Sequence, residues 1–197
     1  FAVQGVIRPQ SDKFHDFRAF SGRMLGGILR QGDTIMVLPS GFASKIKSIY
    51  QGEKEIKEAF VPQSISIQLE DEIDISRGDM IVREQNLPRR SQDIEAMICW
   101  MSEKPLAPIQ KYVLKHTTKD VKAIVKSIQY KMDINNLSRV PDSTSLEMND
   151  IGRVVLRCTS DLFYDAYSKN RNTGSFILVD EATNVTVGAG TIKDTTI

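Results

Sequence analysis

The sequence has few of the residues from which metal, redox and nucleophilic sites are usually built. Its 197 residues include only two cysteines and two histidines, and no Cys-x-x-C spacing occurs. A zinc site made of cysteine and histidine is therefore not expected. Cys99 and Cys158 each stand among apolar neighbours, which is typical of reduced cysteines packed in strands.

Net charge and long apolar runs are lacking as well. The 26 Lys and Arg residues are opposed by 25 Asp and Glu residues, which gives a formal charge of +1. So small a charge excludes a strong attraction to nucleic acid or to an anionic membrane, although it leaves local patches open. No apolar run approaches the roughly 18 residues that a membrane helix needs. We therefore expect neither a membrane nor nucleic acid as a partner.

A phosphate-binding loop is also missing. None of the 12 glycines is followed by lysine, so the chain has no G-x-x-x-x-G-K-[ST] motif with which to cradle phosphates. The histidines His15 and His116 are far apart in the sequence, and no spacing places either of them beside a nucleophile. We predict that the chain holds no catalytic, cofactor-binding or metal-binding residue.

Strand periodicity is present in both halves of the sequence. In Ser64–Leu69 apolar and polar residues alternate, which is the pattern of a strand with one wet face. Single helical turns are expected only at Asn149-Asp150 and at Asp161–Phe163. About six or seven short strands in each half suit a small closed barrel, and closure leaves no sheet edge exposed. We predict an all-β fold of two small consecutive closed β-barrels.

The segment Gln85–Gln92 predicts the boundary between the two barrels. It is polar, contains Pro88 and interrupts the strand pattern. We interpret it as a linker and predict domains at residues 1–88 and 89–197. The chain opens on the apolar stretch Phe1–Ile7 without an initiator methionine, so we expect it to be a piece of a longer protein.

Two polar clusters admit both a functional and a structural interpretation. The acidic run Glu70–Asp74 could hold a hard cation through its carboxylates, but a solvated connection between strands is the commoner use of such a run. His15-Asp16, followed by Arg18, could be an acid–base pair. Adjacent residues of an extended chain point to opposite faces, however. We therefore favour a loop that makes polar contacts with another domain.

Several stretches resemble a known family. One set of stretches resembles the β-barrel domains 2 and 3 of translational GTPases such as elongation factor Tu. These stretches are Gly22–Asp33 with Ile35–Leu38, Ser76–Ile81, and His116-Thr117 with Gly174–Asp180 and Val187–Ile192. A second set of stretches resembles one branch of this family, the GTPase large subunits of heterodimeric sulfate adenylyltransferases. These stretches are Val6–Asp12 with His15–Arg18, Val37–Gly41 with Lys45–Ile49, Asn170–Asp180 and Asn184–Gly190.

This resemblance implies a subunit that hydrolyses GTP with magnesium and stimulates a smaller catalytic subunit. That partner makes adenylyl sulfate and pyrophosphate from ATP and sulfate, the entry step of sulfate assimilation, in the cytoplasm. The D-x-x-G and N-K-x-D motifs of the family are absent here. We therefore expect the GTP-binding domain before residue 1, and neither nucleotide binding nor turnover by this chain alone.

The resemblance and the polar composition of the segment together give four candidate contact residues. They would touch the GTP-binding domain or the smaller subunit, and they are Arg8, His15, Asp16 and Arg18. Two alternatives remain: the tRNA-binding barrels of a translation elongation factor, and a stand-alone double-barrel binding module. The Val37–Gly41 string and the near-neutral charge disfavour the first alternative.

Overall fold

The chain forms two compact units, Phe1–Leu87 and Pro88–Ile197. The computed structural model of the chain describes residues 1–9 and 17–194. These residues contain strands and turns but no helix, and hence none that could cross a membrane. The all-β prediction is confirmed.

The described residues of the first unit form nine strands. They are β1 (Ala2–Ile7), β2 (Ala19–Arg23), β3 (Ile28–Arg30), β4 (Thr34–Leu38), β5 (Ala43–Gln51), β6 (Lys54–Ile56), β7 (Glu58–Phe60), β8 (Ser64–Leu69) and β9 (Met80–Arg83). Six of them form a barrel in the order β4-β9-β1-β2-β8-β5, which closes because β5 also pairs with β4. Each of the six contributes a buried side chain to one core, namely Val3, Phe20, Ile35, Ile49, Ile67 and Ile81.

The glycine-rich stretch Gly22–Leu29 is divided between two strands. β2 ends at Arg23 and β3 begins at Ile28, with Gly27 in a left-handed conformation between them at a φ of +66°. Gly22 lies where the backbone of β1 approaches closely, since a Cβ at this position would collide with the carbonyl oxygen of Ala2. Glycine is therefore required here by space, as close backbone approach in barrels often demands.

Up to residue 194, the second unit forms seven strands. They are β10 (Arg89–Trp100), β11 (Lys111–His116), β12 (Lys119–Met132), β13 (Arg139–Pro141), β14 (Ile151–Tyr164), β15 (Ser175–Val179) and β16 (Thr186–Ile192). The barrel order is β11-β15-β16-β10-β14-β12, and β12 pairs with β11 to close it. Inward side chains of all six strands meet in a second core, for example Ile98, Leu114, Val125, Leu156, Leu178 and Ile192.

Three local predictions were wrong. Asn149-Asp150 forms no helical turn, because Asn149 has a left-handed φ of 70°. The linker is shorter than Gln85–Gln92, because β10 already begins at Arg89. Asp161–Phe163 forms no helical turn, because it belongs to the end of β14. The last two errors have one cause: Arg90 pairs in register with Phe163, and its Nε lies 2.5 Å from Asp161 Oδ2. Cross-strand pairing extends both strands beyond the point at which their local sequence stops alternating.

Candidate functional site

The predicted contact residues of the first unit are only partly described. His15 and Asp16 lie outside the described residues, and Arg8 is exposed just after β1. Arg18 is used within the unit: its Nη2 lies 3.2 Å from Asp74 Oδ1, and its guanidinium carbon lies 5.2 Å from the ring centre of Phe20. Asp74, the last residue of the acidic run Glu70–Asp74, is thus an ion-pair partner of Arg18. A contact role for these residues stays a prediction.

A small depression lies beside this segment. Pro9 and Phe17, the described residues on either side of 10–16, both line it, together with Ile7, Tyr50, Gly52, Glu53 and Ser66. The rings of Phe17 and Tyr50 meet edge to face with their centroids 5.9 Å apart. The depression has a volume of about 470 Å³ and is mainly apolar.

In the second unit, two motifs that are distant in sequence come together. His116, at the end of β11, donates from Nε2 to the carbonyl oxygen of Thr173 at 2.7 Å, and the Thr173 hydroxyl donates to Asp165 Oδ2 at 2.7 Å. His116 is almost completely buried, and burial lowers its pKa below the ordinary value of 6.5. A neutral His116 therefore fastens the turn at Thr117 to the loop that precedes β15.

That loop is itself tightly folded. The Asn170 amide donates to the Ala166 carbonyl at 3.0 Å, and the Gly174 amide donates to the Asn170 carbonyl at 2.9 Å. A Cβ on Gly174 would collide with the backbone of Tyr167, so only glycine allows this turn to close. The hydrogen bonds and the close packing of the loop are thus sufficient to account for the sequence Asn170–Gly174.

The turn and the loop border a groove on the outer face of the second barrel, which we call the outer groove. Its floor is one cross-strand row, because register pairs Lys115 with Ile177, Ile177 with Ala189, Ala189 with Cys99, and Cys99 with Ile151. The volume is about 870 Å³, and the remaining lining residues are Met97, Thr117, Tyr167, Arg171, Asn172, Ser175, Phe176, Gly190 and Thr191.

The charged residues among the described lining residues of the outer groove are both cationic. Lys115 lies at one end of the floor row, Arg171 lies in the loop before β15, and none of these lining residues carries a carboxylate. The Arg171 guanidinium lies 5.9 Å from the ring centre of Tyr167. The opposite end, at Ile151 and Cys99, is apolar. Such a surface is suited to binding rather than to acid–base chemistry.

The two cysteines differ in reactivity. Cys99 lies half-buried in the outer groove, whereas Cys158 is buried in the core. Burial raises the pKa of the Cys158 thiol to about 12, so it carries almost no thiolate at neutral pH. Within residues 1–9 and 17–194, no three His, Cys, Asp or Glu side chains are grouped so that they could hold a metal ion.

Acidification is expected to destabilise the second unit. The pKa of His116 is lower in the folded state than its ordinary value of 6.5, so the unfolded chain binds more protons below that pH. Stability is then complete above about pH 7 and falls towards pH 5, by at most about 1.4 kcal/mol per pH unit. Urea unfolding followed by the fluorescence of Trp100, the single tryptophan, measures this effect.

The matched control for this effect is His116→Gln, because its amide can still donate to Thr173 but does not titrate. Its unfolding free energy is expected to lose the slope between pH 7 and pH 5. A wild-type protein with no slope in this range contradicts the buried, neutral state of His116.

The sequence pattern did not reveal the outer groove. Its floor needs the register of five strands, and register depends on pairings between residues as distant as Cys99 and Ala189. One signal was present: the outward positions Met97, Cys99 and Ile177 are apolar, where an antiparallel sheet usually presents polar residues to water.

Comparison with known proteins identifies the family. Residues 93–193 match the family described as GTP-eEF1A C-terminal domain-like. The structure of sup35 complexed with GDP has the same fold, with a TM-score of 0.87 at 14% identity, covering 100% of this chain and 47% of that one. The predicted likeness of both barrels to those of elongation factors is confirmed.

Two curated relatives are more similar in sequence. The "Bifunctional enzyme CysN/CysC" of Mycobacterium tuberculosis is 44% identical over 98% of this chain, which spans 31% of that protein. The "Sulfate adenylyltransferase subunit 1" of Bacteroides thetaiotaomicron is 44% identical over 98% of this chain and 41% of its own length. The chain thus spans about a third to two fifths of these relatives. It belongs to the GTP-eEF1A C-terminal domain-like family and is homologous to part of sulfate adenylyltransferase subunit 1.

Proposed function

We propose that this chain is the barrel portion of the GTPase subunit of a heterodimeric, cytoplasmic sulfate adenylyltransferase. A GTP-binding domain, with its magnesium, would precede residue 1, and a smaller subunit would make adenylyl sulfate and pyrophosphate from ATP and sulfate. The observation that carries the proposal is the 44% identity to a protein named sulfate adenylyltransferase subunit 1, which extends over 98% of the chain and so includes both barrels.

The two barrels would relay the nucleotide state rather than perform chemistry. A GTPase rearranges its switch segments when the γ-phosphate is lost. A closed barrel with a buried core moves as one body, so it can carry that local change to a distant surface. The coupling is limited to the difference in contact energy between the two nucleotide states, typically about 1–3 kcal/mol.

Alanine substitution of Arg8, His15 and Arg18 in the complete heterodimer tests the relay. We expect at least one variant to lower GTP-stimulated adenylyl sulfate synthesis by about 5- to 150-fold, the range that corresponds to this coupling. Lys57→Ala, at an exposed position of the same unit, is the control and is expected to leave both rates unchanged. If all three variants keep normal synthesis and GTPase rates, the assignment of contacts to this segment fails.

A further inference from the structure

We propose that the outer groove binds an extended segment of a protein partner that is acidic at one end and apolar at the other. The carboxylates would lie against Lys115 and Arg171, and the apolar side chains would lie along Ile177, Cys99 and Ile151. This inference rests on the proposed function, which supplies the partner: the smaller subunit of the heterodimer.

The floor of the groove has the dimensions of a short peptide. The row from Lys115 to Ile151 crosses five neighbouring strands. With about 4.8 Å between strands, four spacings give about 19 Å. An extended chain covers this distance in about six residues at roughly 3.3 Å each. Ala189, in the middle of the row, is the smallest of these side chains and leaves the floor low.

The apolar floor contrasts with the neighbouring outer surface of the same barrel. There, the outward side chains neutralise one another: Arg157 Nη1 lies 2.9 Å from Asp93 Oδ2, and Lys126 Nζ lies 3.6 Å from the same oxygen. In the groove, by contrast, Ile177 is 37% exposed and Met97 and Cys99 are half-buried. We take this grouping of apolar side chains on one outward face as support for a surface that another molecule covers.

Charge complementarity identifies the partner as acidic. Lys115 pairs with Asp120 at 3.3 Å, but both side chains are about half exposed, at 46% and 57%. An exposed pair of this kind contributes little to stability, so a carboxylate of a partner can replace Asp120 at little cost. The Ser175 hydroxyl donates to the Arg171 carbonyl at 2.8 Å and so fixes the backbone there, while the exposed Arg171 guanidinium lies 5.9 Å from the ring centre of Tyr167.

Other kinds of ligand fit less well. The barrel is closed at β11, β15 and β16, so a peptide cannot add as a further strand and must be recognised through its side chains. Nucleic acid requires a series of cations along a groove, whereas Lys115 and Arg171 are the only cations among the described residues that line this one. A small molecule would stay largely uncovered, because the groove is open to solvent along an outer barrel face, unlike the deep clefts that bury such ligands.

The test uses the complete GTPase subunit together with the smaller subunit. In the double variant Lys115→Glu/Arg171→Glu, like charges would face the acidic segment, and we expect the affinity to fall by about 10-fold or more, with a smaller effect at high salt. The control is Lys122→Glu/Lys126→Glu, which makes the same change in net charge at exposed positions of β12. Its affinity is expected to stay within about 3-fold of wild type, since only the long-range field of the protein changes.

Two further measurements locate the bound segment. A photo-cross-linking residue at Ile177 is expected to capture a segment of the smaller subunit that contains Asp or Glu beside apolar residues. Alkylation of Cys99 is expected to slow when the subunit binds, while Cys158 stays unreactive in both states. Normal affinity in the double variant, or a cross-link to a basic segment, overturns the inference. RNA retention that the double variant loses would assign the groove to nucleic acid and overturn it as well. If the wild-type subunits do not associate at all, the proposed function itself fails.

Discussion

Trp100→Ala is expected to lower the free energy of unfolding of the second unit by about 3–5 kcal/mol, the usual loss for a buried aromatic residue. Trp100 is 1% exposed. Its ring meets Tyr112 edge to face at 5.4 Å, and its Nε1 donates to the Lys104 carbonyl at 2.8 Å. Alanine leaves a cavity in the core that the closed sheet cannot collapse to fill. The Lys104 carbonyl also loses the hydrogen bond that Trp100 donates to it.

Phe20→Ala is the matched variant in the first unit, where Phe20 is 2% exposed in a separate core. Urea unfolding followed by circular dichroism should show that each substitution shifts its own transition by a similar free energy. A single transition that both variants shift equally would contradict the independence of the two cores.

Arg153→Met is expected to destabilise the second unit by about 3 kcal/mol, because a buried carboxylate then loses its cation. Glu95 is 6% exposed on β10, and its Oε1 accepts a hydrogen bond from Arg153 Nε on β14. This hydrogen bond raises the pKa of Arg153 above its usual range. Arg153 also pairs in register with Met97, so the ion pair supports the edge of the outer groove.

The double variant Glu95→Gln/Arg153→Met removes both charges together. It is expected to recover most of the lost stability, because replacing a buried ion pair by uncharged groups of similar size is often nearly neutral. Thermal unfolding of the single and double variants measures the difference. A double variant that is as unstable as Arg153→Met would show that packing, and not the uncompensated charge, causes the loss.

Local alternation was sufficient to predict much of the fold. Ser64–Leu69 reads as a half-buried strand in the sequence and forms β8, with Ile65, Ile67 and Leu69 buried. Such a pattern determines which side chains face inward, and a chain made of these strands must bury them against each other. Strand ends were less predictable, because Arg89 and Asp161 belong to strands only through pairing with residues about 70 positions away in the sequence.

The candidate site was largely invisible in the sequence, because it is created by register and by one long-range hydrogen bond. Nothing in the spacing of His116 and Thr173 indicates that they touch, 57 positions apart. The predicted contact residues Arg8 and Arg18 belong to the first unit, whereas the outer groove belongs to the second unit. Polar composition drew attention to their segment, whereas the outer groove is made mainly of apolar residues that resemble an ordinary core.

Sedimentation of this chain with the smaller subunit of a sulfate adenylyltransferase, combined with a GTPase assay of the chain alone, tests the central claim most directly. The account predicts a stable complex of the two proteins and no hydrolysis of GTP by the chain by itself. Two proteins that sediment independently, or a chain that hydrolyses GTP unaided, would contradict it.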